Sequence, residues 1–163
     1  MAFETNPFAI LTFIAAPAVL TNASSVLALG TSNRFARSVD RIRAINRLLE
    51  DKSLPPEPSA LYRSQLPDFE QRARLLMRGM SSFYFSIGCF AAGSLTSLLG
   101  AIMASSDHNL LLRPLLAVAL LTGVAGLSGL VVGCFLLVRE TRLALHMIHH
   151  EVTFYRSRFP TPG

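Results

Sequence analysis

His146, His149 and His150, followed by Glu151, bring four potential metal ligands into six positions. His146 and His150 stand four residues apart, one helical turn, so on a helix both imidazoles point the same way and two metal ligands are conceivable. The zinc-hydrolase arrangement needs Glu directly after the first His, and Met147 stands there instead. Solvated or interfacial histidines are the plainer reading, and no metal or cofactor is expected.

A second group carries neutral polar chemistry. Thr21, Asn22 and Ser25 project to one side of a regular helix inside an otherwise apolar run. A carboxamide facing lipid would leave up to four hydrogen-bonding sites unmet, so Asn22 must face protein or water. It either bonds across to a neighbouring helix or, with Thr21 and Ser25, lines a pore in which polar groups replace part of an ion's hydration shell.

Arg34, Arg37, Arg41 and Arg43 form a basic stripe just beyond that run. They suit contact with anionic lipid headgroups, and they serve equally as determinants of topology. Two stripes of small residues complete the candidates: Cys89, Gly93, Ser97 and Ala101, and Ala125, Gly129 and Gly133. Four-residue spacing of small side chains lets helix backbones approach closely in lipid, within one chain or between subunits.

No glycine-rich phosphate loop, nucleophile beside a base, or catalytic carboxylate pair occurs, so a non-enzymatic protein is expected. The net charge of +5 does not indicate nucleic acid, because aromatic side chains do not interleave the basic stripe.

The elements that hold these residues are three apolar runs at 8–29, 83–104 and 115–138, none containing Asp, Glu, Lys, Arg or His. A helix rises 1.5 Å per residue, so about 20 residues cross a hydrocarbon core of about 30 Å. The expected fold is all-α: one helical integral membrane domain over residues 1–163 with three transmembrane helices and long amphipathic cytoplasmic extensions. Ten of the fifteen basic residues lie from Arg34 to Arg78 and four follow the third run, whereas Arg113 alone lies between the second and third. Positive residues stay inside, which places the N-terminus outside and the C-terminus in the cytoplasm. The alanines around Pro17 resemble a signal-cleavage site, but no basic start precedes them and the run continues to Leu29, so the first helix is expected to be retained. Cys89 and Cys134 fall inside spans and read as packing residues.

Asn6-Pro7 is a helix start, and Pro17 is placed to kink the first helix or have a hydroxyl satisfy the carbonyl it frees. Phe35, Val39, Ile42, Ile45 and Leu49 predict an amphipathic helix over 33–50, either continuing the first span or lying along the headgroups. Asp40 has Arg37 and Arg43 three residues away on either side. Pro55, Pro56 and Pro58 predict a break, Ser59 to Gln65 a short helix, and Pro67 the start of another that runs through Arg72, Arg74 and Arg78 into the second span. The cytoplasmic helical region thus covers 33–78. Leu143, Met147, Ile148, Val152 and Tyr155 extend the third span into a cytoplasmic helix over 139–159, and Pro160-Thr161-Pro162-Gly163 ends it.

Asn6-Pro7-Phe8, the segment Pro17 to Ser25, Ser32-Asn33-Arg34 and Asp40-Arg41-Ile42-Arg43 together resemble a bacterial family of small three-span membrane proteins known only as a domain of unknown function. The resemblance covers most of the chain. It implies a bacterial inner-membrane location and supports three spans, and it carries over no activity, substrate or catalytic residue.

The expected partners are the lipid bilayer and either further copies of the chain or the subunits of a membrane complex. One expected function is a homo-oligomer forming a channel along the Thr21, Asn22 and Ser25 face. The alternative is an accessory or assembly subunit, with a membrane enzyme built on the histidines a third.

Overall fold

A computed structural model describes the backbone of residues 7–50, 55–104 and 109–158, and the side chains of 15–50, 55, 59–60, 62–100, 102–103 and 113–149. Asn6, the Asp107 turn and the terminal Pro160 segment lie outside the described residues, as do the side chains of Ala101, His150, Val152 and Tyr155. Among the described residues the chain forms three α-helices: α1, Pro7–Glu50; α2, Pro56–Ala104; and α3, Asn109–Arg158.

These helices are longer than the sequence punctuation predicts. α1 passes through Pro17 and Gly30 without interruption, so the amphipathic stretch is one helix with the first apolar run. α2 is likewise continuous through Pro67, which corrects the expected short helix over 59–65 and the fresh start at Pro67. The physical reason is packing: Tyr62, Gln65, Phe69 and Arg72 are partly buried on both sides of the proline, and that contact outweighs one lost backbone bond. The break expected at the three prolines does fall here, since α1 ends at Glu50 and α2 begins at Pro56, but Pro56 and Pro58 belong to the new helix. They occupy its first turn, where amide groups lack intrahelical partners in any case, and the Ser59 amide donates to the Pro55 carbonyl at 3.3 Å. α3 begins at Asn109 and contains Pro114, ahead of the apolar run.

The least exposed positions follow a seven-residue repeat along each helix. In α1 they include Ser24, Ala28, Thr31, Phe35, Ser38, Ile42, Ile45 and Leu49. In α2 they include Arg72, Leu76, Gly79, Phe83, Ser86, Phe90 and Gly93. In α3 they include Ala119, Thr122, Gly126, Gly129, Gly133, Leu136, Glu140, Leu143 and Met147. Alternating steps of three and four keep one narrow stripe facing a neighbouring helix, the pattern of a coiled-coil seam.

The chain divides into two compact units, Met1–Gly30 with Met80–Gly133, and Thr31–Gly79 with Cys134–Gly163. In the first, aromatic rings of α2 fill gaps left by glycines of α3. A methyl group on Gly133 would come 2.5 Å from the Phe83 ring, one on Gly126 2.7 Å from the Phe90 ring, and one on Gly129 2.7 Å from the Ser86 hydroxyl. Phe83 and Phe90 are buried, and Gly93 meets Thr122 further along. In the second unit the buried side chains are Thr31, Ser38, Ile45, Leu76 and Glu140.

The outward faces are apolar. Leu95, Leu98 and Ile102 of α2 and Leu116, Leu120 and Phe135 of α3 are exposed, while Ser24, Thr31, Ser38, Ser86 and Glu140 are buried. A water-soluble helical domain hides large apolar side chains and displays polar ones, the reverse of this distribution. Two stretches, Tyr62–Gly100 and Arg113–His149, are long and apolar enough to cross a membrane.

Candidate functional site

Glu140 is the buried charge of the second unit, with a side chain only 1% exposed. It occupies the α3 stripe seven residues after Gly133 and fourteen after Gly126, so the repeat that brings glycine against α2 brings a carboxylate inward here. Arg72 of α2 donates its Nε–H to Glu140 Oε1. The Arg34 guanidinium of α1 reaches the other oxygen, with Nη1 3.7 Å from Oε2. One carboxylate thus meets a cation from each of the other two helices. A buried carboxylate without such partners would carry a desolvation penalty of several kcal/mol, so the two arginines make its burial possible. Arg72 is 30% exposed and Arg34 54%, so both guanidiniums reach the surface.

The four arginines of the basic stripe separate into different environments. Arg34 turns to Glu140, Arg43 lies 3.7 Å from Asp40 on the same helix, and Arg37 and Arg41 are exposed. Asp40 and Arg43 are both largely solvated, so their pairing contributes little to stability.

In the first unit the polar group of α1 is split by the helix surface. Thr21 is partly buried and donates to the Pro17 carbonyl at 2.8 Å. Ser25 donates to the Thr21 carbonyl at 2.9 Å. Asn22 is exposed, flanked by exposed Val19 and Val26. Ser86, Ser97 and Thr122 also donate to carbonyls one turn back, which satisfies hydroxyls without a second helix.

Beside the α3 stripe, Gly126 meets Cys89 of the α2 stripe, with an added methyl lying 3.1 Å from the Cys89 Cβ. Gly129 and Gly133 take Ser86, Phe85 and Phe83 of α2, while Ala125 sits beside the contact and Gly126 inside it. Gly93 is buried, and Cys89 and Ser97 are partly buried. Cys89 and Cys134 are free thiols. An open apolar cavity of about 820 Å³ lies in this unit, with Pro17, Leu20, Phe90, Gly93, Leu120 and Gly123 among its walls.

His146 and His149 are exposed, and the His149 Nδ1–H donates to the Leu145 carbonyl at 3.1 Å. Among the described residues no three His, Cys, Asp or Glu side chains gather as a metal site would require. With the His150 side chain outside them, the His146 and His150 pairing is not described.

A family model described as "Protein of unknown function (DUF2721)" matches residues 14–150. The chain belongs to this family. The match takes in α1 from residue 14, all of α2, and α3 as far as residue 150, so the Arg34, Arg72 and Glu140 cluster falls within the DUF2721 domain. No curated protein and no solved structure matches the chain.

Sequence reasoning passed over Glu140 and Arg72 as a pair. Glu140 stands among Arg139 and Arg142 and reads as part of a charged flank. The signal that singles it out is the seven-residue series Ala119, Gly126, Gly133, Glu140 and Met147, in which a carboxylate shares the stripe of the packing glycines.

Proposed function

We propose that this DUF2721 protein is a non-enzymatic, homo-oligomeric membrane protein of the bacterial inner membrane, in which copies of α1 surround a polar pathway for ions. It has three spans, with the N-terminus outside and the arginine-rich helix halves and C-terminus in the cytoplasm. The observation that carries this reading is the exposure of Asn22 between Val19 and Val26. Within a bilayer that carboxamide would face lipid with its donors and acceptors unmet, and a second copy of α1 or water in a pathway removes the penalty. Ser25 presents a hydroxyl oxygen on the same outward side, and Thr21 lies at its margin. Neutral oxygen and amide groups of this kind stabilise a partly dehydrated ion.

The test is the mass of the protein extracted from its own membranes in mild detergent, followed by current recordings of the purified oligomer. Asn22→Leu should alter conductance while the oligomer persists. A monomer, or an oligomer that passes no ion in a planar bilayer, removes the channel reading.

A second reading, an accessory subunit of a larger membrane complex, is favoured by apolar side chains exposed away from the three runs. Leu48, Met77, Leu145 and Ile148 are uncovered in the second unit. Co-migration with foreign subunits at fixed ratio would select this reading.

A further inference from the structure

We propose that Arg34 and Arg72, held in place by Glu140, form a binding site for a phosphate group, that of an anionic phospholipid headgroup. The argument starts from charge. One buried carboxylate neutralises one guanidinium, yet two approach it, leaving a local excess of one positive charge. It continues with geometry. Arg72 engages Glu140 through Nε, and Arg34 approaches through Nη1, whereas each guanidinium carries five N–H donors. The remaining donors belong to side chains that are 30% and 54% exposed, so they are within reach of a ligand at the surface.

A phosphodiester matches what is left over. It carries one negative charge and two unesterified oxygens, which accept parallel N–H bonds from a guanidinium fork. Glu140 is the positioning residue: at 1% exposure it holds its arginine partners more firmly than solvent holds Arg37 and Arg41 on the outer side of α1. The level also fits, given the membrane placement proposed above, on which this inference rests. Arg34 stands five residues beyond Leu29 and Glu140 two beyond Val138, within about two helical turns of the ends of their apolar runs, and Arg72, eleven residues before Phe83, is held beside Glu140 by their hydrogen bond. Headgroup phosphates lie at that depth.

The experiment titrates phosphatidylglycerol or phosphatidylcholine into the full chain in detergent, counting bound lipids by native mass spectrometry. Phosphatidylglycerol should bind in preference, and Arg34→Gln should weaken it about five-fold. Arg41→Gln removes the same charge from the same helix but about 10 Å further along it, where screening leaves little effect, and should weaken binding less than two-fold. Arg34→Lys keeps the charge without the fork and should fall between them, provided all three variants keep wild-type helicity. Equal losses in Arg34→Gln and Arg41→Gln, or equal binding of the two lipids, would overturn the site. Displacement of the lipid by an equal concentration of inorganic phosphate would support the phosphate site but assign it a soluble ligand. Release of the protein from membranes by alkaline wash would instead refute the membrane placement, a readout separate from the affinities.

Discussion

Glu140 of α3 accepts a charge-assisted hydrogen bond from Arg72 Nε of α2, and does so from the same stripe that seats Gly133 against Phe83 one repeat earlier. The sequence of α3 therefore serves two kinds of helix contact in successive repeats, one in each unit. Where α2 and α3 meet as apolar helices, glycine makes room for a ring. In the other unit, a buried carboxylate draws an arginine from each neighbouring helix.

Removing Glu140 alone should cost far more than replacing it together with its closest partner, Arg72. Glu140→Ala leaves Arg72 facing a cavity without its counter-charge, and the expected loss is about 3–5 kcal/mol. The pair Arg72→Met with Glu140→Leu replaces the ionic contact by an apolar one and should restore most of the wild-type midpoint. Thermal unfolding followed by circular dichroism in a mild detergent compares them. If Glu140→Ala unfolds at the wild-type temperature, the cluster does not hold the helices together.

Glycine substitutions should divide sharply by position. A methyl at Gly133 or Gly126 meets a buried aromatic ring at 2.5 or 2.7 Å, so alanine there must push Phe83 or Phe90 aside. Overpacking of this kind costs about 1–3 kcal/mol. Gly30, Gly88 and Gly123 have nothing within 4 Å of an added methyl, and alanine there should be neutral or stabilise by up to about 1 kcal/mol through helix propensity. The same unfolding assay reads both groups. A uniform response across the five positions would mean that the ring and glycine contacts are not tight.

Much of the helical content was legible because the apolar runs are long and free of charge, and because Ile42, Ile45 and Leu49 repeat at helical spacing. Prolines misled. Pro67 reads locally as a helix start, but the partly buried side chains on either side of it keep α2 whole, and such packing is not written in any three-residue motif. The four-residue glycine spacing points to Gly129 and Gly133, although the partner of Gly133 is the Phe83 ring and that of Gly129 is Ser86 beside Phe85. Glu140 is hidden among its charged neighbours, and nothing local in the sequence marks Arg34, rather than Arg37 or Arg41, as the residue beside a buried carboxylate. Which of several arginines meets a lone acid depends on the register between helices, and that is a tertiary quantity.

Orientation is open to a direct test. With Cys89 and Cys134 replaced by alanine, Arg41→Cys carries the sole thiol, at an exposed position of α1. A membrane-impermeant maleimide should label it in broken cells and leave it unmodified in intact spheroplasts if the arginine-rich segment is cytoplasmic, as the proposed topology has it. Labelling in intact spheroplasts would invert the topology.

The hydroxyls of Ser24 and Ser38 are buried and have no hydrogen-bond partner among the described residues, unlike Ser86, which donates to the Ser82 carbonyl at 2.9 Å. A buried donor without a partner destabilises by about 1–3 kcal/mol relative to an apolar group of similar shape. Ser24→Ala and Ser38→Ala should therefore raise the unfolding midpoint or leave it unchanged, whereas Ser86→Ala should lower it slightly. A marked fall for Ser24→Ala would mean that its hydroxyl is bonded in the protein in solution. The partner would then be a buried water or a group on a second copy, because such a bond forms only if something polar reaches the α1 seam.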